Sequence, residues 1–443
     1  MNEAARKASP FQLVFMIYGV VCSGAYGLEE MVSTSGPGLA ILALVVLPLL
    51  WGVPAALACA ELSARHPVEG GYYRWARMAF GDFAGFMTGW LVYLSIFATN
   101  AAFAVLFVNY LRHFVAVEGI PRFLAAAALV WLATFLNYRG IVLVGTAAVV
   151  MTILIFVPFL GLTLAGLAQW KADPFAPFVH PDKDPLTAAL GGLAIAIWLF
   201  SGWEKLTVNA AEVENPRRAF PLALAWAVPM VAASYVLPTV AALAALGDWQ
   251  DWGEAHFSAA AAAVGGPALG AAMAAGGLVS NACLLLVTIL GQSRLPMVLA
   301  EDGFLPRAFT RTHARFGTPH VSLLFGAAVL TALCALPFSE LMGLYSVVQA
   351  LAYMLIFASL LRLRARAGEA GAAPGFRIPL PTAGIVAMIA PAAAIALVMV
   401  YHTLRPAGGL GTAEAAGLLG LFGSGPLAYW AFRGRFGAVA RAE

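Results

Sequence analysis

Apolar residues in this chain gather into long stretches, and polar residues fill the short gaps between them. A helix crosses about 30 Å of hydrocarbon with roughly 20 residues. Twelve stretches meet that length, near 11–33, 39–62, 83–111, 121–137, 140–168, 188–212, 219–246, 267–293, 319–337, 340–362, 379–402 and 411–432. Two of them are interrupted, and each of these opens a block of five. The first is cut by Ser23-Gly24-Ala25-Tyr26-Gly27 and followed at once by Glu29-Glu30. The sixth is cut after Phe200 by Ser201-Gly202-Trp203 and followed by Glu204-Lys205. Unwound backbone at bilayer depth leaves peptide groups without partners, so it persists only where it lines a cavity or is buried in protein. Breaks at corresponding places in two halves point to the substrate site of a transporter.

Composition agrees with a membrane protein. Hydrophobic residues make up 62% of the 443 and charged residues 11%, where soluble proteins carry roughly a quarter charged. The mean hydropathy of +0.85 leaves too little polar surface to cover a water-soluble globule. A net charge of +3, with basic residues spread along the chain, gives no nucleic-acid footprint. The expected fold class is therefore an all-α integral membrane protein in one domain, residues 1–443. Its repeats run over about 11–168 and 188–363, and two further helices lie within 379–432.

Basic residues fix the expected orientation. With the N-terminus inside, 19 Lys and Arg fall on the cytoplasmic side and 5 outside, leaving Lys205 within a helix. The positive-inside rule then places both termini in the cytoplasm, across the plasma or inner membrane. The first stretch lacks a small-residue cleavage pattern and reads as a retained helix. Cys22, Cys59, Cys283 and Cys334 all fall inside predicted helices, with no metal or disulfide spacing, and read as small core fillers. No cofactor is expected.

Charges inside the membrane cost roughly 2.5–3.5 kcal/mol each on insertion scales and mark function by default. Few remain once the loops are removed: Glu29, Glu30, Glu204, Lys205, and Glu61 near a cytoplasmic end. Packing of the two broken helices would bring Glu29, Glu30 and Glu204 toward one cavity. The plainer alternatives are that Glu204 pairs with Lys205, or that a glutamate caps the half-helix exposed by the break. The break itself offers free N–H groups for a carboxylate, and carbonyls for an ammonium or Na⁺. Gly24, Gly27 and Gly202 permit close approach, and Tyr26 and Trp203 can cover a cation or simply pack. On the third stretch Tyr93 and Asn100 share a helix face, as ligand contacts or as helix glue. Ser280-Asn281 on the eighth is open to the same two readings, near an ion site.

These residues resemble the amino acid–polyamine–organocation superfamily, and within it the polyamine uptake and L-type amino-acid transporter branch, especially its plant polyamine members. The likeness rests on Gly27-Leu28-Glu29-Glu30, Pro67-Val68-Glu69-Gly70-Gly71-Tyr72, Asn137-Tyr138-Arg139-Gly140, Trp203-Glu204, Glu212-Val213-Glu214-Asn215-Pro216 and Ala300-Glu301-Asp302-Gly303-Phe304-Leu305-Pro306. It implies a LeuT-type 5+5 inverted repeat of about 12 transmembrane helices, broken in helices 1 and 6. It also implies alternating access by rocking of a bundle against a scaffold. Amine substrates would bind at the breaks, held by Glu29, Glu30 and Glu204 with Trp203 stacking. Three positions depart from the pattern: Ile155 replaces a helix 5 lysine, Thr99 replaces an Asp, and Lys205 replaces a small polar residue.

The expected function is uptake of a polyamine or related organic amine, with an amino-acid permease or exchanger as the alternative. No nucleophile or metal constellation supports an enzyme, and no repeated filter motif supports a channel. Without the helix 5 lysine, coupling falls either to Na⁺, with backbone carbonyls and Ser280 as ligands, or to a proton on Glu29, Glu30 or Glu204. Burial and neighbouring like charge favour a neutral carboxyl group, so the proton is the expected coupling ion.

Overall fold

The computed structural model describes residues 7–253, 255–335, 338–367, 375–404, 412–433 and 435. The ends of the predicted domain and part of the basic, Gly/Ala-rich segment 364–376 lie outside the described residues. Helices form the whole architecture, and among the described residues the nearest thing to a strand is one isolated bridge between Ala8 and Val213.

The chain enters α1 (Pro10–Val21) through a capping box. The Ser9 hydroxyl accepts from Gln12 N, and Gln12 Oε1 accepts from Ser9 N, so two orphan donors are satisfied at once. The helix stops at Val21, residues 22–28 are irregular, and α2 (Glu29–Ser35) resumes. Gly36 turns the chain into α3 (Pro37–Leu47), which continues through a π-helical turn at Pro48–Gly52 into α4 (Val53–Arg65). Pro48 and Pro54 flank that turn and remove donors from the helical ladder, a local cause for its widened hydrogen bonding. Then come α5 (Gly71–Phe80), α6 (Asp82–Leu111), α7 (Ile120–Tyr138) and α8 (Ile141–Ala168).

The second half opens with α9 (Pro185–Leu199), capped by Asp184, whose carboxylate accepts from Thr187 N. Residues 200–204 are irregular, and a short 3₁₀ helix, Lys205–Glu212, follows. It leads through α10 (Pro216–Leu246) and α11 (His256–Gly265) to α12 (Pro267–Glu301). The last helices are α13 (His320–Leu333), α14 (Phe338–Ala367), α15 (Thr382–Leu404) and α16 (Thr412–Phe432).

Among the described residues, eight segments are long and apolar enough to cross a bilayer: 37–65, α6, α7, α8, α10, α12, 348–366 and 382–401. The broken helices α1 and α9 and the helix α13 are apolar but shorter. Burial sorts the spans. In α6 and α12, 78% of the apolar window is inside the protein, against 33% in α7 and α10 and 28% in α15. So α6 and α12 form the centre, while α7, α10 and α15 turn Leu, Val and Trp side chains such as Trp131, Trp226 and Leu397 outward, as lipid-facing helices do.

Two short helices escape the hydropathy pattern. α5 mixes Tyr, Arg, Trp and Met on opposite faces, and α11 is only ten residues long. The predicted eighth stretch also ends too early. α12 runs on to Glu301, because Arg294 is neutralised by an ion pair with Glu212 and need not leave the helix.

The end that the basic residues assign to the cytoplasm is tied by charge. Glu61 is buried on α4 and takes two bonds from Arg364 of α14, at 2.6 and 2.5 Å, and one from Ile378 N at 2.8 Å. Arg364 also donates to the carbonyls of Leu380 and Ile378. On α5, Arg74 and Arg77 reach Asp302 at 2.7 and 2.6 Å, and Tyr73 donates to the same carboxylate. Asp302 and Glu212, from two of the sequence motifs, are therefore engaged in ion pairs. Breaking a buried pair from one side strands the other charge, at about 3–5 kcal/mol, whereas replacing both partners with apolar groups is close to neutral. Arg364→Met is therefore expected to lower thermal stability in detergent by that amount. The double variant Glu61→Leu/Arg364→Met is expected to recover most of it. Equal melting of wild type and Arg364→Met would contradict the assignment.

Candidate substrate site at the two helix breaks

The ends of α1 and α9 converge inside the helical bundle. Tyr235 of α10 stands between them, donating toward Leu199 O at 3.0 Å and Val21 O at 3.3 Å. These carbonyls lose their helical partners because the helices stop, and one phenol lies in reach of both. On the other side Tyr353 of α14 accepts from Gly202 N at 2.9 Å and Trp203 N at 3.3 Å. Within the first break, Ser23 donates back to Gly19 O at 2.8 Å, and Glu29 Oε2 accepts from Gly27 N at 2.7 Å. Backbone conformation explains the glycines. Gly24 and Gly202 have φ of 99° and 116°, which L side chains rarely adopt, and a Cβ on Gly24 would lie 2.7 Å from Ile155.

Between the breaks lies a small cavity that opens to one side. Val20, Val21 and Cys22 of the first break face Leu199, Ser201 and Lys205 of the second. Thr99 and Phe103 of α6, Leu284 of α12, and the rings of Tyr26, Trp198, Tyr235 and Tyr345 complete the walls. Its lining is aromatic and hydroxylic, and Lys205 is the one charged residue in it. The Lys205 ammonium lies 5.6 Å from the centre of the Tyr345 ring.

The structure sorts the candidates named from sequence. Tyr26 and Ser201 line the cavity. Tyr26 is anchored there by donating to Met273 O at 2.6 Å, and Ser201 by donating to Ile197 O while accepting from Trp51 Nε1. Ser23, Gly24, Ala25, Gly27, Phe200 and Gly202 build the breaks behind that surface. Trp203 is fully buried and turns its indole N–H back to Phe200 O at 2.8 Å, so it packs against the break and does not cover the cavity.

The acids diverge. Glu29 is buried with one carboxylate oxygen lacking a hydrogen-bond partner, but Glu30 is exposed. Successive helical side chains point about 100° apart, and here the turn carries Glu30 to the outside. Glu204 does not pair with Lys205. Its Oε1 accepts from Gln349 Nε2 of α14 at 2.8 Å, and Gln349 in turn accepts from Ser95 of α6. The second Glu204 oxygen is buried and has no hydrogen-bond partner, as are the hydroxyls of Tyr93 and Ser280. Asn100 bonds to Gln292 at 2.8 Å and accepts from Thr288, so it joins α6 to α12 as helix glue. Asn281 donates to Gly277 of its own helix. Ile155 is fully buried against the first break, and hydrocarbon fills that place.

Sequence reasoning missed Tyr235, Tyr345 and Tyr353. The signal for them was a tyrosine inside an otherwise apolar membrane helix, whose hydroxyl must find a polar partner. The role of Tyr353 can be measured. Tyr353→Phe leaves two buried N–H groups at the second break without their acceptor, which costs about 1–3 kcal/mol. A lower melting temperature in detergent is expected, and unchanged melting would contradict the assigned bonds.

The chain matches the Amino acid permease family over residues 9–416. It is 33% identical over 416 residues to a probable polyamine transporter of Arabidopsis thaliana, covering 92% of this chain and 81% of that protein. A polyamine transporter of Oryza sativa subsp. japonica is also 33% identical, over 92% of this chain and 76% of its own length. A third, from Arabidopsis thaliana, is 31% identical over 91% and 82%. The helices that can span a bilayer and these relatives agree on an integral membrane protein that works as a transporter and not as an enzyme. The chain belongs to the amino acid permease family of the amino acid–polyamine–organocation superfamily.

Proposed function

We propose that this protein is a secondary active transporter that takes up a polyamine or related organic amine, coupled to protons, by alternating access. The observation that carries this reading is the meeting of two helix breaks at one cavity, each with a buried carboxylate beside it that keeps an oxygen without a hydrogen-bond partner, Glu29 and Glu204. Such oxygens suit an ammonium group or a proton, and buried charge in a membrane is otherwise expensive. The polyamine transporters among its relatives support the substrate class.

In this reading the chain is one domain of twelve spans with both termini cytoplasmic in the plasma or inner membrane. The five helices of 11–168 and the five of 188–363 form inverted repeats, and residues 379–432 add two more. The ion pairs of Glu61, Arg74, Arg77 and Arg294 then bind the cytoplasmic ends of moving and static helices together, and must loosen for inward opening. An amino-acid permease is the second reading. Lys205 favours it, because an ammonium in the cavity can hold a substrate carboxylate.

The glutamate assignment predicts that Glu204→Gln, which keeps the side-chain shape, weakens amine binding roughly tenfold or more while the protein still folds. Wild-type affinity and rate in that variant would remove Glu204 from the site. Coupling is tested in proteoliposomes with an imposed pH gradient, then with an imposed sodium gradient. Initial uptake is expected to rise as the external pH falls and to ignore sodium. Stimulation by sodium alone would overturn the proton reading.

A further inference from the structure

We propose that Lys205 is a specificity-determining residue that sets how many positive charges the substrate can bring into the cavity. This inference rests on the amine-transport reading above. Three observations carry it. Lys205 is 2% exposed, lines the cavity, and makes no ion pair among the described residues. Its backbone is held in place, since a Cβ on Gly291 of α12 would lie 2.5 Å from the Lys205 carbonyl oxygen. Its side-chain stem passes Gly202, whose added Cβ would lie 3.6 Å from Lys205 Cδ. The ammonium therefore has a fixed address between the two breaks, against the Tyr345 ring.

The neighbouring carboxylate does not cancel this charge. Glu204 is turned to α14, where Gln349 holds it, and lies outside the cavity lining. The Tyr345 ring face lies 5.6 Å from the ammonium, within cation–π range. A substrate ammonium entering the same cavity meets a like charge at short range and low dielectric. In the reading above, Glu29 and Glu204, buried beside the breaks, offset one such charge. A second ammonium on the same molecule has Lys205 where its counter-charge would have to be. Lys205 thus acts as a resident cation that takes up one cation position, and of the two substrates in that reading it favours the singly charged organic amine over the polyamine.

The test uses a matched pair of probes, butylamine and 1,4-diaminobutane, which share a carbon chain and differ by one ammonium. Binding is read by thermal shift and by uptake in proteoliposomes, on the full-length protein and on Lys205→Met, Lys205→Gln and Lys205→Arg. Removing an unpaired buried charge does not cost stability, so the ligand-free neutral variants are expected to melt no lower than wild type. Wild type should bind butylamine more tightly than the diamine. Lys205→Met and Lys205→Gln should each shift that preference toward the diamine by roughly tenfold or more. Lys205→Arg, which is always charged, should keep the wild-type order. A purely structural lysine would move both probes alike, and an unchanged ratio in both neutral variants would overturn the proposal. So would a wild type that prefers the diamine, or a Lys205→Arg variant that alone rejects it. If neither amine binds the wild type, the amine-transport reading fails first and takes this proposal with it.

Discussion

Everything in this structure follows from the need to satisfy peptide groups where two helices stop inside a membrane. A helix spans hydrocarbon because it bonds its own backbone, and a break at mid-depth forfeits that bonding. Here the loose ends are met by side chains from helices that remain whole. Tyr235 lies in reach of the carbonyls that end α1 and α9, and Tyr353 takes the N–H groups that follow α9. Each break is thus completed by another helix, so α10 and α14 are structural partners of the site as well as its walls. The same economy explains the cavity. Irregular backbone is tolerated at this depth because it borders space and hydroxyls, with the packed α6 and α12 behind it.

Charge is distributed by the same constraint. The acids near the breaks are held from behind, Glu29 by Gly27 N and Glu204 by Gln349, each leaving one oxygen without a hydrogen-bond partner. Lys205 alone points its charge into the cavity, beside a tyrosine ring. Glu204 and Lys205 are adjacent but form no ion pair, because Gln349 holds the carboxylate while the lysine lines the cavity. At the cytoplasmic end the logic is different. There the charges are fully paired, Glu61 with Arg364 and Asp302 with Arg74 and Arg77. Those paired charges tie helices together.

Much of this was legible in the sequence. Helix positions and both breaks followed from apolar run length and from glycines beside carboxylates. What sequence could not give was direction. Glu29 and Glu30 are adjacent in sequence, yet one is buried and the other exposed. Trp203 sits in the break but faces the protein, and Asn100 shares a face with Tyr93 but spends its amide on Gln292. These outcomes depend on packing between helices far apart in the chain, which no local pattern encodes. α5 and α11 were missed for a simpler reason: they are too short or too mixed to register as spans. The tyrosines that complete the breaks lie in helices α10 and α14, remote in sequence from the groups they bond.

The central claim is that the space between the two breaks is where the transported amine sits. An experimental structure determined with a transported amine bound tests it most directly. The account predicts ligand density bounded by Val20–Cys22 and Leu199–Lys205, with Tyr345 and Thr99 in contact. Amine density elsewhere, with this space unchanged and empty, would contradict it.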